Sequence, residues 1–169
     1  MPNFEQFSCC DMCDENKSSL PSQFNALAAI YKNFAAKSQF EGMVVTVKCY
    51  EDNTQVKAMV ESPGDGRVLV VDGAGSLKRA LLGGNLGLVA AQNGWAGLLI
   101  NGCVRDVAEL APLNIGILAL ASVPMPTDRK NQGQLNVPVQ IQGVWVYPGD
   151  YLFADADGIV VVEREKLPG

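Results

Sequence analysis

Arg105 and Asp106, in the stretch NGCVRDVAE, stand side by side where the apolar run GLLI gives out. Arginine presents a permanently charged planar fork that suits a carboxylate, and aspartate presents hard oxygens that suit a divalent cation such as Mg2+. Neighbours in a loop can face one ligand, so the pair could hold an anionic, metal-chelating substrate. Taken alone, the pair reads first as satisfying neighbouring loop backbone or as a surface ion pair worth about 0–1 kcal/mol. A second feature lies upstream, where Gly83, Gly84, Asn85 and Leu86 open a helical pattern. Their backbone amides would sit at a helix N-terminus, where unpaired N–H groups and the helix dipole favour carboxylate or phosphate. Asp72 and Glu109 are the nearby acids, readable also as a turn-former and a solvated helix residue.

The chain has no histidine, which removes Ser-His-Asp and Cys-His nucleophiles, HExxH zinc sites and imidazole acid–base chemistry together. Catalysis must then run on carboxylates, arginine, lysine, water and a hard metal ion. Lys78 could form a Schiff base, but SLKRALL shows no apolar burial to lower its pKa, and it reads as a surface lysine. GAGSLK at 73–78 matches only a fragment of a glycine-rich loop, and no Walker or dinucleotide fingerprint fits. Cys9, Cys10, Cys13, Cys49 and Cys103 are an odd set that makes a poor disulfide framework and suits a reducing compartment. Cys10 and Cys13 form a lone CxxC without the further ligands zinc requires, and read as free thiols on an N-terminal helix or arm.

These groups need elements to position them. SQFNALAAIYKNFA, from Ser22, places Phe24, Leu27, Ala28, Ile30, Tyr31 and Phe34 at helical spacing behind Pro21 and Ser22, which predicts an amphipathic helix. GMVVTVKCYE (42–51) predicts a strand, followed by a DN turn and a short helix through VKAMVES that SPGDG ends. RVLVVDGAG predicts a buried strand entering a glycine turn, and SLKRALL a helical turn with Ser76 as cap. The GGN helix runs through Gln92, stops at Asn93-Gly94, and is followed by the strand GLLIN.

Residues 67–101 therefore form a βαβ unit with a parallel crossover. Ligands in such units gather at the carboxyl ends of strands, where Asp72, the GGN start and Arg105-Asp106 all fall. IGILALAS, VPVQIQGVWV, DYLFAD and GIVVVE predict strands, and PTDRKNQGQLN an exposed loop. The sum is one α/β domain over 1–169 with a mixed, β-rich core, its residues 1–21 an N-terminal arm or short helix.

At 169 residues, 48% of them hydrophobic and 18% charged, the chain can bury a core unaided. No apolar stretch approaches the ~18 residues of a membrane helix, so no membrane role is expected. The acidic start MPNFEQFSCCDMCDENK lacks the basic and apolar segments of a secretory signal, which points to the cytoplasm. A net charge of -5 with scattered Lys and Arg argues against direct contact with nucleic acid.

The stretch VLVVDGAGSLKRALLGGNLGLVAAQNGWAGLLINGCVRDVAEL resembles the RraA-like family, and the likeness continues through IGILALASVPMP and GDYLFADADGIVVVE, from about residue 40 onward. That family includes metal-dependent aldolases of 4-hydroxy-4-methyl-2-oxoglutarate and regulators of ribonuclease E activity. The resemblance implies an α/β/β swivelling-type domain, a homotrimer with sites near subunit interfaces, and a divalent cation, Mg2+ or Mn2+, as cofactor. The family's aldolases carry an acidic residue, twenty intervening positions, then Arg-Asp. Carried over, Arg105 binds substrate, Asp106 ligates the metal, and the amides of Gly83, Gly84, Asn85 and Leu86 hold a small 2-oxo acid. The acidic position falls on Gly84, which has no carboxylate; a metal-activated water oriented by Asp72 or Glu109 would then serve as base. One enolate-forming site would support both retro-aldol cleavage and oxaloacetate decarboxylation. The alternative is a non-catalytic inhibitor that masks the ribonuclease, or an associated helicase, with its acidic surface.

Overall fold

A computed structural model describes residues 8–167; residues 1–7 of the expected arm lie outside them. In chain order the elements are α1 (Cys9–Glu15), β1 (Phe24–Ala26), β2 (Lys32–Asn33), β3 (Phe40–Lys48), α2 (Thr54–Val60), β4 (Val68–Asp72), β5 (Ala80–Leu82) and α3 (Gly84–Gln92). They continue with β6 (Gly97–Val104), α4 (Val107–Leu110), β7 (Gly116–Ser122), β8 (Gln134–Leu135), β9 (Val139–Ile141), β10 (Val144–Val146), β11 (Tyr151–Ala154) and β12 (Ile159–Val162). No helix among them is long and apolar enough to cross a membrane.

One mixed sheet, in the order β1-β12-β11-β3-β4-β6-β7-β2, organises the domain. Its centre, β3-β4-β6-β7, is parallel, and the outer strands pair antiparallel. Alternating side chains explain why the central strands read as continuous apolar runs: both faces are buried. Val45, Val47, Leu69, Val71, Leu98 and Ile100 face one core with Val56, Val60, Leu86 and Leu110 from the helices. Val44, Val68, Val70 and Leu99 face a second core capped by Val139, Ile141 and Val146 of the β9–β10 hairpin. Helices, sheet and hairpin make the α/β/β layering, and the expected βαβ unit is β4-α3-β6.

Three local expectations fail. Residues 22–35 form no helix; β1 pairs with β12 and β2 with β7, at the two edges of the sheet. The helical spacing misleads because these side chains serve different cores: Leu27 and Tyr31 pack in the hairpin core, Phe34 in the helix core and Phe24 in a third cluster around Phe153. One helix face could not reach all three. SLKRALL is likewise not helical: Ser76 Oγ donates to Glu51 Oε1 (2.7 Å), and Ala80–Leu82 is a fully buried strand parallel to β6. VPVQIQGVWV is two strands, because Gln142 (φ 49°) and Gly143 (φ 76°) make the left-handed pair of a tight hairpin turn.

Candidate active site

β6 delivers Arg105 and Asp106 to the carboxyl end of the parallel strands, and the Arg105 amide donates to Leu82 O of neighbouring β5 (2.9 Å). Asp106 then adopts the left-handed conformation, φ 57° and ψ 46°. Such a backbone costs an L-residue about 1–2 kcal/mol, least for Asp and Asn. Asp106 occupies the N-cap position of α4, yet its side chain makes no cap there. Instead Oδ2 accepts the Gly84 N–H at the start of α3 (3.0 Å) and lies 3.9 Å from Arg105 Nε. A strained turn thus aims this carboxylate at another helix's N-terminus. Both side chains are accessible, 40% and 41% exposed.

Gly83 and Gly84 are needed for this approach. A Cβ on Gly83 would lie 2.7 Å from Asp106 Oδ2 and 3.3 Å from Arg105 Nε. A Cβ on Gly84 would overlap Glu109 Oε2 and lie 2.9 Å from Glu109 Cβ. The Glu109 side chain, sent back by α4, therefore fills the space that a side chain at position 84 would occupy. α3 itself begins at Gly83 without a side-chain cap, and among the described residues the Asn85 and Leu86 amides have no hydrogen-bond partner.

An open cleft of about 680 Å3 lies here, lined by Gly83, Asn85, Leu86, Arg105 and Asp106 together with Asn53, Lys57 and the Pro126–Arg129 loop. Sequence reasoning brings the first set together and misses the second, reading Asn53 as a turn residue, Lys57 as part of a short helix and Pro126–Arg129 as exposed loop. The signal was that Asp52 and Asn53 lie just past β3, whose carboxyl end is on the same side of the sheet as those of β4 and β6. Asp52, 2% exposed, accepts from the Thr54 amide and hydroxyl (2.9 and 2.6 Å) and the amides of Lys130 (2.7 Å) and Gln132 (3.2 Å). Burial alone would raise its pKa, but these hydrogen bonds outweigh it and hold the carboxyl down at about 2. Asn53 Oδ1 accepts from Thr127 Oγ1 (2.8 Å) and Arg129 Nε (3.0 Å), while Nδ2 donates to Leu81 O (3.1 Å).

Asp72 does not line the cleft. Its Oδ1 accepts the Ala74 N–H (2.9 Å) and holds the turn after β4, so it is no partner to Asp106. Among the described residues no group of three or more His, Cys, Asp or Glu is arranged to hold a metal. The oxygens present still suit Mg2+, which is commonly bound through one or two carboxylates plus substrate and water. Asp106 keeps one oxygen without a hydrogen bond, and the Glu109 carboxylate makes none among the described residues.

Known proteins share this architecture. A protein named "Putative 4-hydroxy-4-methyl-2-oxoglutarate aldolase" from Albidiferax ferrireducens is 56% identical over 163 residues, 92% of this chain and 94% of that one. The solved structure of the RNA-processing inhibitor RraA from Thermus thermophilis superposes with a TM-score of 0.89 at 39% identity, covering 96% of this chain and 95% of that one. A Geobacillus kaustophilus structure titled S-adenosylmethionine: 2-dimethylmenaquinone methyltransferase gives 0.86 at 35%, covering 96% and 100%. Two solved structures of this fold carry different described activities, so function must be argued from the site. The family model described as Aldolase/RraA matches residues 9–161, reaching upstream of the segment that carries the sequence resemblance, and the chain belongs to the RraA-like family.

Proposed function

We propose that the chain is a divalent-metal-dependent aldolase that cleaves 4-hydroxy-4-methyl-2-oxoglutarate to pyruvate and decarboxylates oxaloacetate at the same site. The observation that carries this reading is the strained Asp106, turned away from its own helix toward Gly84, with Arg105 beside it and Glu109 filling the space over Gly84.

Asp106 would hold Mg2+ or Mn2+ through the oxygen that Gly84 does not use, with Glu109 close by. When bound, the ion supplies Lewis-acid stabilisation of negative charge on the substrate's keto oxygen. The Asn85 and Leu86 amides hold the adjacent carboxylate at the positive end of α3. Arg105 meets the charge that grows on the keto oxygen as the C3–C4 bond breaks, an interaction strongest in the transition state. Glu109 takes the proton of the 4-hydroxyl, directly or through one water, and the electron pair left at C3 is later quenched by a proton to give pyruvate. Oxaloacetate loses CO2 by breaking the corresponding bond, with the same charge on the same atoms.

Pyruvate release from 4-hydroxy-4-methyl-2-oxoglutarate in Mg2+ tests the reading. It should vanish in EDTA and return with Mn2+. No metal-dependent release from either substrate would remove the lyase assignment. The likeness to the RNA-processing inhibitor RraA from Thermus thermophilis favours a second reading, inhibition of a ribonuclease; unchanged ribonuclease E cleavage at saturating protein would count against it.

A further inference from the structure

The Cys10–Cys13 pair, which the chemistry at Asp106 does not use, has a definite place in the fold. α1 lies against the outer strand pair: the Cys9 amide donates to Asp155 Oδ2 (2.8 Å), and its thiol donates to Phe153 O (3.7 Å) and Gly158 O (3.8 Å). Cys9 is buried in a cluster with Tyr151, Phe153, Val160 and Val162, and Met12 and Cys13 pack against that cluster from the same helix face. Cys10, one step round the helix, is exposed. A cleft of about 150 Å3 opens over all three thiols, beside Asp157.

The cysteines therefore differ in what they can do. Burial first, and the Asp155 carboxylate second, hold the Cys9 thiol far above its ordinary range, so it stays an inert S–H that pins the helix. Cys49 and Cys103 are buried as well. Cys10 is the accessible thiol, although Asp157 beside it disfavours the thiolate, and Cys13 follows three residues on. Residues so spaced in a helix hold their Cβ atoms about 5–6 Å apart, whereas a disulfide needs about 3.5–4.5 Å. The first turn of α1 closes that gap only by drawing the Cys13 sulfur away from its cluster toward Cys10.

We infer that Cys10 and Cys13 are a redox-sensitive clip: oxidised by a small-molecule disulfide they join and loosen α1 from β12, and reduced they leave it docked. The Cys10 thiolate attacks the S–S bond of the oxidant, and the first leaving thiolate takes up the proton that Cys10 gave. Cys13 then gives up its proton and attacks Cys10 Sγ, breaking the mixed disulfide and releasing the second thiol. Two electrons pass from the pair to the oxidant, which ends as two thiols. A bond closed against helix geometry is strained and readily reduced, so the clip resets in a reducing compartment.

The test treats the full chain with oxidised glutathione and then with dithiothreitol. Mass spectrometry should show the loss of two hydrogens, mapped to Cys10 and Cys13, with Cys9 still open to alkylation after unfolding. Amide hydrogen exchange across α1 should speed up at least about fivefold and recover in dithiothreitol. Cys10→Ser, a change at an exposed position, should show neither the internal bond nor the faster exchange. A stable glutathione adduct without the internal bond, a bond that includes Cys9, or an oxidised pair with unchanged exchange overturns the inference.

Discussion

If the Glu109 carboxylate stands in for one at position 84, moving it back should restore what either single change destroys. Glu109→Ala removes the group that takes the hydroxyl proton, and general acid–base catalysis of this kind is worth about 100- to 10,000-fold in kcat. Gly84→Asp alone places a side chain where Glu109 already is, with Cβ 2.9 Å from Glu109 Cβ and overlapping its Oε2. Steric displacement adds to repulsion between two carboxylates, which at ~4 Å is about 1 kcal/mol in water and about 4 kcal/mol at an effective dielectric of 20. Both single variants should be slow. The double variant has one carboxylate and no clash, and its kcat for pyruvate release should recover to within about tenfold of wild type. The coupling energy should then exceed about 1.4 kcal/mol, well above the scatter of independent sites. Lactate dehydrogenase-coupled assays in Mg2+ read all four proteins. Glu109→Ala within about twofold of wild type, or a double variant no faster than the singles, would refute the substitution.

Three further outcomes follow from the packing. Gly83→Ala keeps an extended backbone, φ -126°, so stability should hardly change, while its Cβ displaces the Asp106 carboxylate; the Mg2+ concentration for half-maximal activity should rise at least about tenfold. Asp52→Asn should lower Tm at pH 7 by about 3–10 °C through hydrogen bonds worth about 1–3 kcal/mol. Because the native Asp52 carboxyl is held at about 2, below the unfolded value of about 3.9, its stabilisation is complete above that value and fades as pH falls toward 2. The gap between wild type and variant should therefore close over that range in a thermal scan. Phe40 lies against adjacent Gly97 and Gly116, and a Cβ on either would run into its ring; Gly116→Ala should cost about 3 kcal/mol in urea unfolding.

What the sequence made legible was decided by how local each signal is. The β4-α3-β6 unit carries its own punctuation, with Gly83 before the helix and Asn93-Gly94 after it, and the chain folds as that pattern requires. Arg105-Asp106 was legible for the same reason, since it ends a strand within that unit. Residues 22–35 were not, because strand pairing at two distant sheet edges overrides a local helical spacing. The Pro126–Arg129 wall depends on Asp52 and Asn53, more than seventy positions away in sequence for the Thr127 and Arg129 bonds. The place of Glu109 beside Gly84 likewise depends on how closely α4 approaches α3, where a Cβ on Gly87 would lie 2.5 Å from Leu110.

The most direct test of the account is Asp106→Asn, which preserves shape and the left-handed turn but removes the charge proposed to hold the cation. Pyruvate release should fall at least about 100-fold while Tm without metal changes little, and the rise in Tm expected of wild type on adding Mg2+ should be lost. An Asp106→Asn protein that keeps metal-dependent pyruvate release within about tenfold of wild type would contradict the assignment of Asp106 and the mechanism built on it.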